Sequence, residues 1–83
     1  MARLLVADDD KNLAILYEQE LTDEGYDVDV VNDARSAIER VEKDPPDLLV
    51  LDIQMPGMDG IEALSHILGK NNQLPVILNT AYS

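Results

Sequence analysis

The fold of this chain is decided by the stretch RLLVADDD at residues 3–10. Its first five residues are apolar except for the leading arginine, which is typical of a short strand buried on both faces. Three aspartates then end the strand. A second stretch, LLVLD at residues 48–52, repeats the pattern of an apolar run closed by an acid. Since strands buried on both faces belong to parallel sheets covered by helices, the two stretches predict an α/β fold.

Segments with helical periodicity separate four strand patterns along the chain. At residues 26–30, tyrosine or valine alternates with aspartate. This pattern predicts a strand with one solvent-exposed face, near an edge of the sheet. A last apolar run follows Pro75. The order βαβαβαβ predicts right-handed crossovers and a parallel sheet with helices on both faces. The apolar stripes of the first two helices are Leu13, Leu16, Tyr17 and Leu21, and Ala34, Ala37, Ile38 and Val41; the third helix is marked by Ile61, Leu64, Ser65 and Leu68.

The helix ends are marked by residues with known end preferences. Asp10 is suited to cap the first helix, and Gly25 is suited to the position after its last turn. Either Asn32 or Asp33 is suited to cap the second helix, and the proline pair after it forbids its continuation. Gly69 is expected to close the third helix.

Length and composition exclude several classes of protein. The chain has 83 residues with 46% hydrophobic content, which allows one small globular domain. It has no cysteine, which excludes a disulfide scaffold and a thiolate metal site. The longest apolar run, Leu48–Leu51, is far shorter than the ~20 residues of a membrane span, and the opening residues lack a signal peptide pattern. We therefore expect a cytoplasmic protein with no membrane partner.

The net charge of the chain indicates which kinds of partner it attracts and which it repels. Seventeen acids against six bases give a formal net charge of −11. Such a surface repels a phosphate backbone, so direct binding of nucleic acid is not expected. Clusters of acids instead attract cations.

Three of the acids follow buried strands. Asp8 and Asp9 follow the first strand and Asp52 follows the third, so all three lie together if these strands are neighbours in a 2-1-3-4 order. Unneutralised, each pair would repel by roughly 1 kcal/mol in water at ~4 Å and by more when buried. A hard cation such as Mg²⁺ removes that cost. The alternative role of a strand-end aspartate is a helix cap, which is the role assigned to Asp10.

Three further polar residues have an ordinary structural explanation, which is exposure to solvent or capping of a helix. Thr80 ends the fourth strand, where its hydroxyl can donate to an oxyanion near Asp52 or can simply be exposed. Asp59 is expected to cap the third helix. His66 lies off the apolar stripe of that helix and is expected to be solvated.

Three segments of the chain resemble the receiver domain of bacterial two-component response regulators. They are LLVADDD at 4–10, LLVLDIQMPGMDG at 48–60 and PVILNTA at 75–81. The second is the most specific, since an aspartate stands four residues before a PGMDG loop. The resemblance implies a flavodoxin-like (CheY-like) three-layer αβα fold with a parallel sheet in the order 2-1-3-4.

The resemblance also implies roles for individual residues. Asp52 corresponds to the phosphoacceptor, and Thr80 to the switch hydroxyl that moves to the phosphoryl group. Asp9 corresponds to a direct Mg²⁺ ligand, with Asp8 acting partly through water and Gln54 offering its backbone carbonyl. The implied partner is a histidine kinase or a phosphotransfer protein. The implied function is that of a phosphoacceptor module in a phosphorelay, not of an enzyme.

Receiver domains continue past the fourth strand with a helix, a strand and a helix. Residues 1–83 are therefore expected to be a partial receiver domain that lacks these last α-β-α elements. In the family, the lysine that pairs with the phosphoryl group lies in that region. Lys11, Lys43 and Lys70 do not follow a strand in the order required to replace it.

Two alternative functions stay open. A receiver fragment without phosphotransfer activity would act as a structural or oligomerisation unit. A phosphatase that forms an aspartyl phosphate would need an acid two residues after Asp52, where Gln54 stands. The apolar run at 76–78 is expected to form an exposed sheet edge, which predicts a homo-oligomer through the strand-four edge.

Overall fold

The computed structural model describes residues 1–53, 60–70 and 73–79. Four strands and three helices alternate along these residues, which confirms the predicted βαβαβαβ order. The predicted loop at 54–59 and the chain from residue 80 onward lie outside the described residues. In chain order the elements are β1 (Arg3–Ala7), α1 (Lys11–Asp23), β2 (Asp27–Val31), α2 (Ala34–Lys43), β3 (Leu48–Asp52), α3 (Gly60–Lys70) and β4 (Val76–Asn79).

The four strands form one parallel sheet in the order β2-β1-β3-β4. This order confirms the predicted flavodoxin-like arrangement. Leu4 of β1 pairs with Leu48 of β3, and Asp52 of β3 pairs with Asn79 of β4. Because all strands run the same way, their carboxyl ends share one edge of the sheet. A ligand site in such a sheet is expected at that edge.

The two faces of the sheet carry separate hydrophobic clusters, so the fold has three layers. On one face, alternate strand residues such as Leu5, Leu49 and Leu51 are buried with residues of α2 and α3. On the other face, Leu4, Val6 and Val28 are buried, with Tyr17 and Leu21 of α1 packed against them. This alternation follows from the two-residue period of a strand.

The caps of the first two helices are formed by aspartates. The Asp10 carboxylate accepts the backbone N–H groups of Asn12 and Leu13 at 3.0 and 3.1 Å. The Asp33 carboxylate accepts the Ser36 N–H at 2.7 Å, so Asp33 and not Asn32 caps α2. Gly25 follows α1 with a φ of 98°, a left-handed conformation that glycine adopts without steric cost.

Two helices are turned in part relative to the predicted stripes, although Tyr17, Leu21 and Leu64 of those stripes pack against the core. In α3, Ala63 and Ile67 are buried, whereas Ile61 is 57% exposed and Ser65 is exposed. In α1, Ala14 is buried and Leu16 is exposed. Alanines share the apolar side of both helices with larger residues, so the spacing alone left the inward direction open. In each of the two helices an alanine faces the sheet, and its small side chain lets the helix axis lie close to the sheet.

One predicted helix end was also wrong, whereas the start of the fourth strand after Pro75 is confirmed. The helix α3 continues through Gly69 to Lys70, so Gly69 does not close it. The strand β4 begins after Pro75, which has no N–H to donate, although its carbonyl accepts the Leu49 N–H at 3.0 Å. Within the described ranges, no helix is long and apolar enough to cross a bilayer.

We predict that Asp33→Ala lowers the free energy of unfolding by about 1 kcal/mol, because the first turn of α2 loses its cap. The hydrogen bonds from Ser36 hold the pKa of Asp33 below its ordinary value, so this contribution is lost as the pH falls through the folded pKa. Urea denaturation measures the change. Asp33→Asn is the matched control, since asparagine caps equally well, and equal losses in both variants would contradict the assignment.

Candidate functional site

Three carboxylates meet at the carboxyl edge of the sheet. Asp8 and Asp9 follow β1, and Asp52 is the last residue of the neighbouring β3. Each of the three offers a carboxylate oxygen within 4.8 Å of the others. Asp8 and Asp52 are almost fully buried at 1% and 3% exposure, whereas Asp9 is exposed. The adjacency of β1 and β3 is what brings these side chains together.

Hydrogen bonds from neighbouring elements hold Asp8 in place. Its backbone N–H donates to the Val31 carbonyl at 3.1 Å, which extends the β1–β2 ladder by one residue. Its backbone carbonyl accepts the Asn32 side-chain amide at 2.9 Å, and its Oδ1 accepts the Asp10 N–H at 2.9 Å. The carboxylate is thus fixed by β2 on one side and by the start of α1 on the other.

The electrostatics of Asp8 are unfavourable for a charged group. Burial raises the pKa of the Asp8 carboxyl, and the Asp10 N–H partly lowers it. The Asp52 and Asp9 carboxylates raise the pKa further, Asp52 also by hydrogen bonding. The second oxygen, Oδ2, is buried and accepts no hydrogen bond among the described residues. A charged Asp8 is therefore held where water cannot solvate one of its oxygens.

This donor set fits a hard divalent cation. All three groups are carboxylates, which Mg²⁺ prefers, and no cysteine is available in the sequence for a softer metal. Mg²⁺ would be held by Asp8, Asp9 and Asp52, whose carboxylate oxygens lie within 4.8 Å of one another. The buried, unpartnered Oδ2 of Asp8 is the oxygen that a cation would satisfy.

The other predicted site residues are distributed as follows. Gln54, Asp59 and Thr80 lie outside the described residues. His66 is exposed on α3, as expected.

Sequence reasoning missed two asparagines. The sequence pattern indicates Asn32 only as a candidate helix cap. In the structure its side-chain amide donates to the Asp8 carbonyl and so connects β2 to the end of β1. Asn79 was not singled out, although it pairs with Asp52 in the sheet register. A polar residue that ends an otherwise apolar strand was the available signal for Asn79.

Comparison with known proteins identifies the family. The profile of the response regulator receiver domain matches residues 4–83. The chain belongs to the response regulator receiver domain family. The same match places this receiver domain within two-component signal transduction and confirms the predicted resemblance.

Curated relatives of this receiver domain are longer proteins. The response regulator MprA of Mycobacterium leprae is 38% identical over 79 residues, which cover 95% of this chain and 35% of the relative. The response regulator ArlR of Staphylococcus epidermidis is 37% identical over 83 residues, which cover 100% of this chain and 37% of the relative. The chain thus spans about a third of the length of these relatives.

Solved structures share the fold. The response regulator TrrA of Thermotoga maritima, crystallised with Mg²⁺ and BeF, is 40% identical and superposes with a TM-score of 0.95, covering 100% of this chain and 72% of TrrA. TrrA has also been crystallised with the histidine kinase ThkA, and that copy gives a TM-score of 0.93 at the same coverage. The receiver domain of a LuxO repressor protein from Vibrio parahaemolyticus is 38% identical with a TM-score of 0.90, covering 99% of this chain and 63% of that one.

We predict that Asp8→Asn raises the melting temperature of the metal-free receiver at pH 7. A raised carboxyl pKa means that the folded chain binds more protons than the unfolded chain, so stability falls as the pH rises from about 4 through the folded pKa. Asparagine removes that loss and gives Asp52 a donor. Each 1 kcal/mol regained is worth about 4–8 °C in a domain of this size.

The measurement is thermal denaturation in EDTA between pH 4 and pH 8. The advantage of Asp8→Asn is expected to shrink toward pH 4. Asp9→Asn is the matched control, because Asp9 is exposed and its change is expected to be smaller. A lower melting temperature for Asp8→Asn at pH 7 would refute the explanation.

Proposed function

We propose that Asp52 accepts a phosphoryl group from a histidine kinase or a phosphotransfer protein, and that Mg²⁺ assists the transfer. The observation that carries this proposal is the convergence of Asp8, Asp9 and Asp52 carboxylate oxygens within 4.8 Å at the carboxyl edge of a receiver fold. Such a cluster, with two of its three carboxylates buried, favours a positive counterpart, and phosphoryl transfer uses a cation beside the reacting groups.

Asp52 is the best placed nucleophile of the three. One oxygen of Asp8 is occupied by the Asp10 N–H, and Asp9 is exposed to water. Asp52 lies between β1 and β4 at the centre of the edge. A carboxylate oxygen of Asp52 forms a bond to phosphorus while the phosphorus–nitrogen bond of a phosphohistidine breaks. The electron pair leaves with the imidazole nitrogen.

We assign the metal to Asp8, Asp9 and Asp52, with the backbone carbonyl of Gln54 as a further ligand. Asp9 is the direct ligand open to solvent, and Asp8 contributes through its unpartnered oxygen or an intervening water. When bound, Mg²⁺ supplies positive charge against the negative charge that develops on the phosphoryl oxygens. Thr80 is proposed as the hydroxyl that donates to the phosphoryl group after transfer.

The proposed partner and location follow from this role. The structure of TrrA with the histidine kinase ThkA supports a kinase as the partner. A net charge of −11 argues against direct contact with nucleic acid. We propose a cytoplasmic phosphoacceptor that promotes at most its own phosphorylation and dephosphorylation and is not an enzyme acting on other substrates.

We predict that acetyl phosphate with Mg²⁺ adds one phosphoryl group to the chain, because the clustered carboxylates present Asp52 to a small donor. Intact mass spectrometry should show an increase of about 80 Da, the mass of a phosphoryl group transferred to oxygen. EDTA and Asp9→Ala should both reduce the yield.

Asp52→Asn is the matched control, since it keeps the shape and removes the nucleophile. An adduct that persists in Asp52→Asn would contradict the assignment of the phosphoacceptor. No adduct in the parent chain would favour the alternative of a structural unit without phosphotransfer activity.

We also propose that this chain forms a homo-oligomer through the β4 edge. In the described sheet β4 is an outer strand, and its Ile77 and Leu78 are 52% and 44% exposed. They lie on opposite faces, so apolar surface flanks a row of backbone groups that no strand of the described sheet pairs. The other outer strand, β2, carries the exposed Asp27 and Asp29, which discourage pairing there.

We predict that the chain of 83 residues sediments as a dimer whose fraction rises with concentration. Ile77→Lys should shift it to the monomer, because a charge on the β4 edge opposes strand pairing. Ile15→Lys is the matched control, since Ile15 is 48% exposed on α1 and away from that edge. A dimer that is unaffected by Ile77→Lys would exclude this interface.

A further inference from the structure

Asn79 stands beside the proposed phosphoacceptor in the sheet. It is the last residue of β4 and pairs with Asp52 in the parallel register. The Ile53 N–H donates to the Asn79 carbonyl at 3.2 Å, which carries the β3–β4 ladder past this pair. Side chains at paired positions of neighbouring strands lie on the same face, about 4.8 Å apart. The Asn79 side chain therefore shares the face of Asp52.

The side-chain amide of Asn79 is buried without an acceptor. Its Nδ2 has no hydrogen-bond partner among the described residues and is closed off from water. A buried amide of this kind is costly, and native structures retain few of them. An apolar residue at the end of Val76-Ile77-Leu78 would avoid that cost.

The second buried polar atom of this kind lies on the opposite side of Asp52. It is Asp8 Oδ2 on β1, and the strand order places Asp52 of β3 between β1 and β4. The two unpartnered atoms have opposite chemistry. A carboxylate oxygen can only take a cation or a donor, whereas an amide N–H can only donate to an acceptor. The edge thus offers a cation subsite on the β1 side and an anion-binding donor on the β4 side.

We infer that the Asn79 side-chain amide donates a hydrogen bond to an oxygen of the phosphoryl group carried by Asp52. The inference rests on the proposed function, since it assigns a binding residue for the phosphoryl group of that same site. The amide is neutral, so it adds a donor to an edge crowded with carboxylates without needing a counter-ion. It also explains why a polar residue ends an apolar strand at this position.

Beryllofluoride is the probe, because its fluorine atoms take the place of the phosphoryl oxygens. Titration of the Mg²⁺-saturated parent should move the side-chain ¹⁵N–¹H resonances of Asn79. Asn79→Leu should weaken beryllofluoride binding about tenfold, as expected for the loss of one hydrogen bond to a charged group. The same variant should melt at a higher temperature without ligand, since it removes the unpartnered amide.

Asn79→Ala and Asn79→Asp complete the series. Alanine should weaken binding as leucine does, and it keeps the test valid if leucine perturbs the fold. Aspartate should weaken binding more than either, because it sets a negative charge against the phosphoryl mimic while leaving Mg²⁺ affinity equal to or higher than that of the parent.

The outcomes separate this inference from the proposed function. Binding in the parent that is lost in Asp52→Asn and weakened in the Asn79 variants supports both. Equal affinity in the parent, Asn79→Leu and Asn79→Ala overturns the role of Asn79 alone and leaves Asp52 as the phosphoacceptor. Absence of binding that depends on Asp52 in the parent overturns the proposed function, and the role of Asn79 with it.

Discussion

Mutual repulsion of the carboxylates at the ends of β1 and β3 is the constraint around which this receiver domain is built. At ~4 Å and the effective dielectric constant of a partly buried site, one ionised pair costs roughly 4 kcal/mol. Asp8 and Asp52 are both nearly inaccessible to water, so solvent screens them poorly. A small domain has a total stability of the same order as a few such pairs. The cluster is therefore tolerated only in a fold that places stabilising hydrogen-bond donors beside the carboxylates.

Compensation for this repulsion comes from hydrogen-bond donors that surround the edge. The Asp10 N–H reaches Asp8, and the Asp10 carboxylate in turn caps α1. The Asn32 amide fixes the Asp8 carbonyl from β2. At the opposite edge of the sheet, Arg3 pairs with Asp44 at 2.8 Å and its N–H donates to Asp47 at 2.7 Å. Arg3 thus lies at the amino edge, and the carboxyl edge keeps the negative charge of Asp8, Asp9 and Asp52.

Much of this architecture could be read from the sequence, because it depends on local patterns. Apolar runs ended by acids predicted the strands and, with the 2-1-3-4 strand order, the meeting of Asp8 with Asp52. The alternation of apolar and polar residues predicted the edge strand. The inward faces of α1 and α3 could not be read in the same way, since Ala14 and Ala63 compete there with larger apolar neighbours. The partners of Asn32 and Asn79 depend on strand register, which connects residues far apart in sequence, so a polar strand end marks Asn79 without telling what it pairs with.

The two hydrophobic layers differ greatly in size, and this difference bears on how the molecule opens. Ten buried residues join the sheet to α2 and α3, whereas three form the buried cluster on the α1 side in the part of the chain that the structure describes. Amide hydrogens of α1 should therefore exchange with solvent through a lower opening free energy than those of β1 and β3. The Asp10 N–H that restrains Asp8 belongs to that weaker layer. Local opening of α1 would release the Asp8 carboxylate from the Asp10 N–H, so the charge at the sheet edge is coupled to this helix.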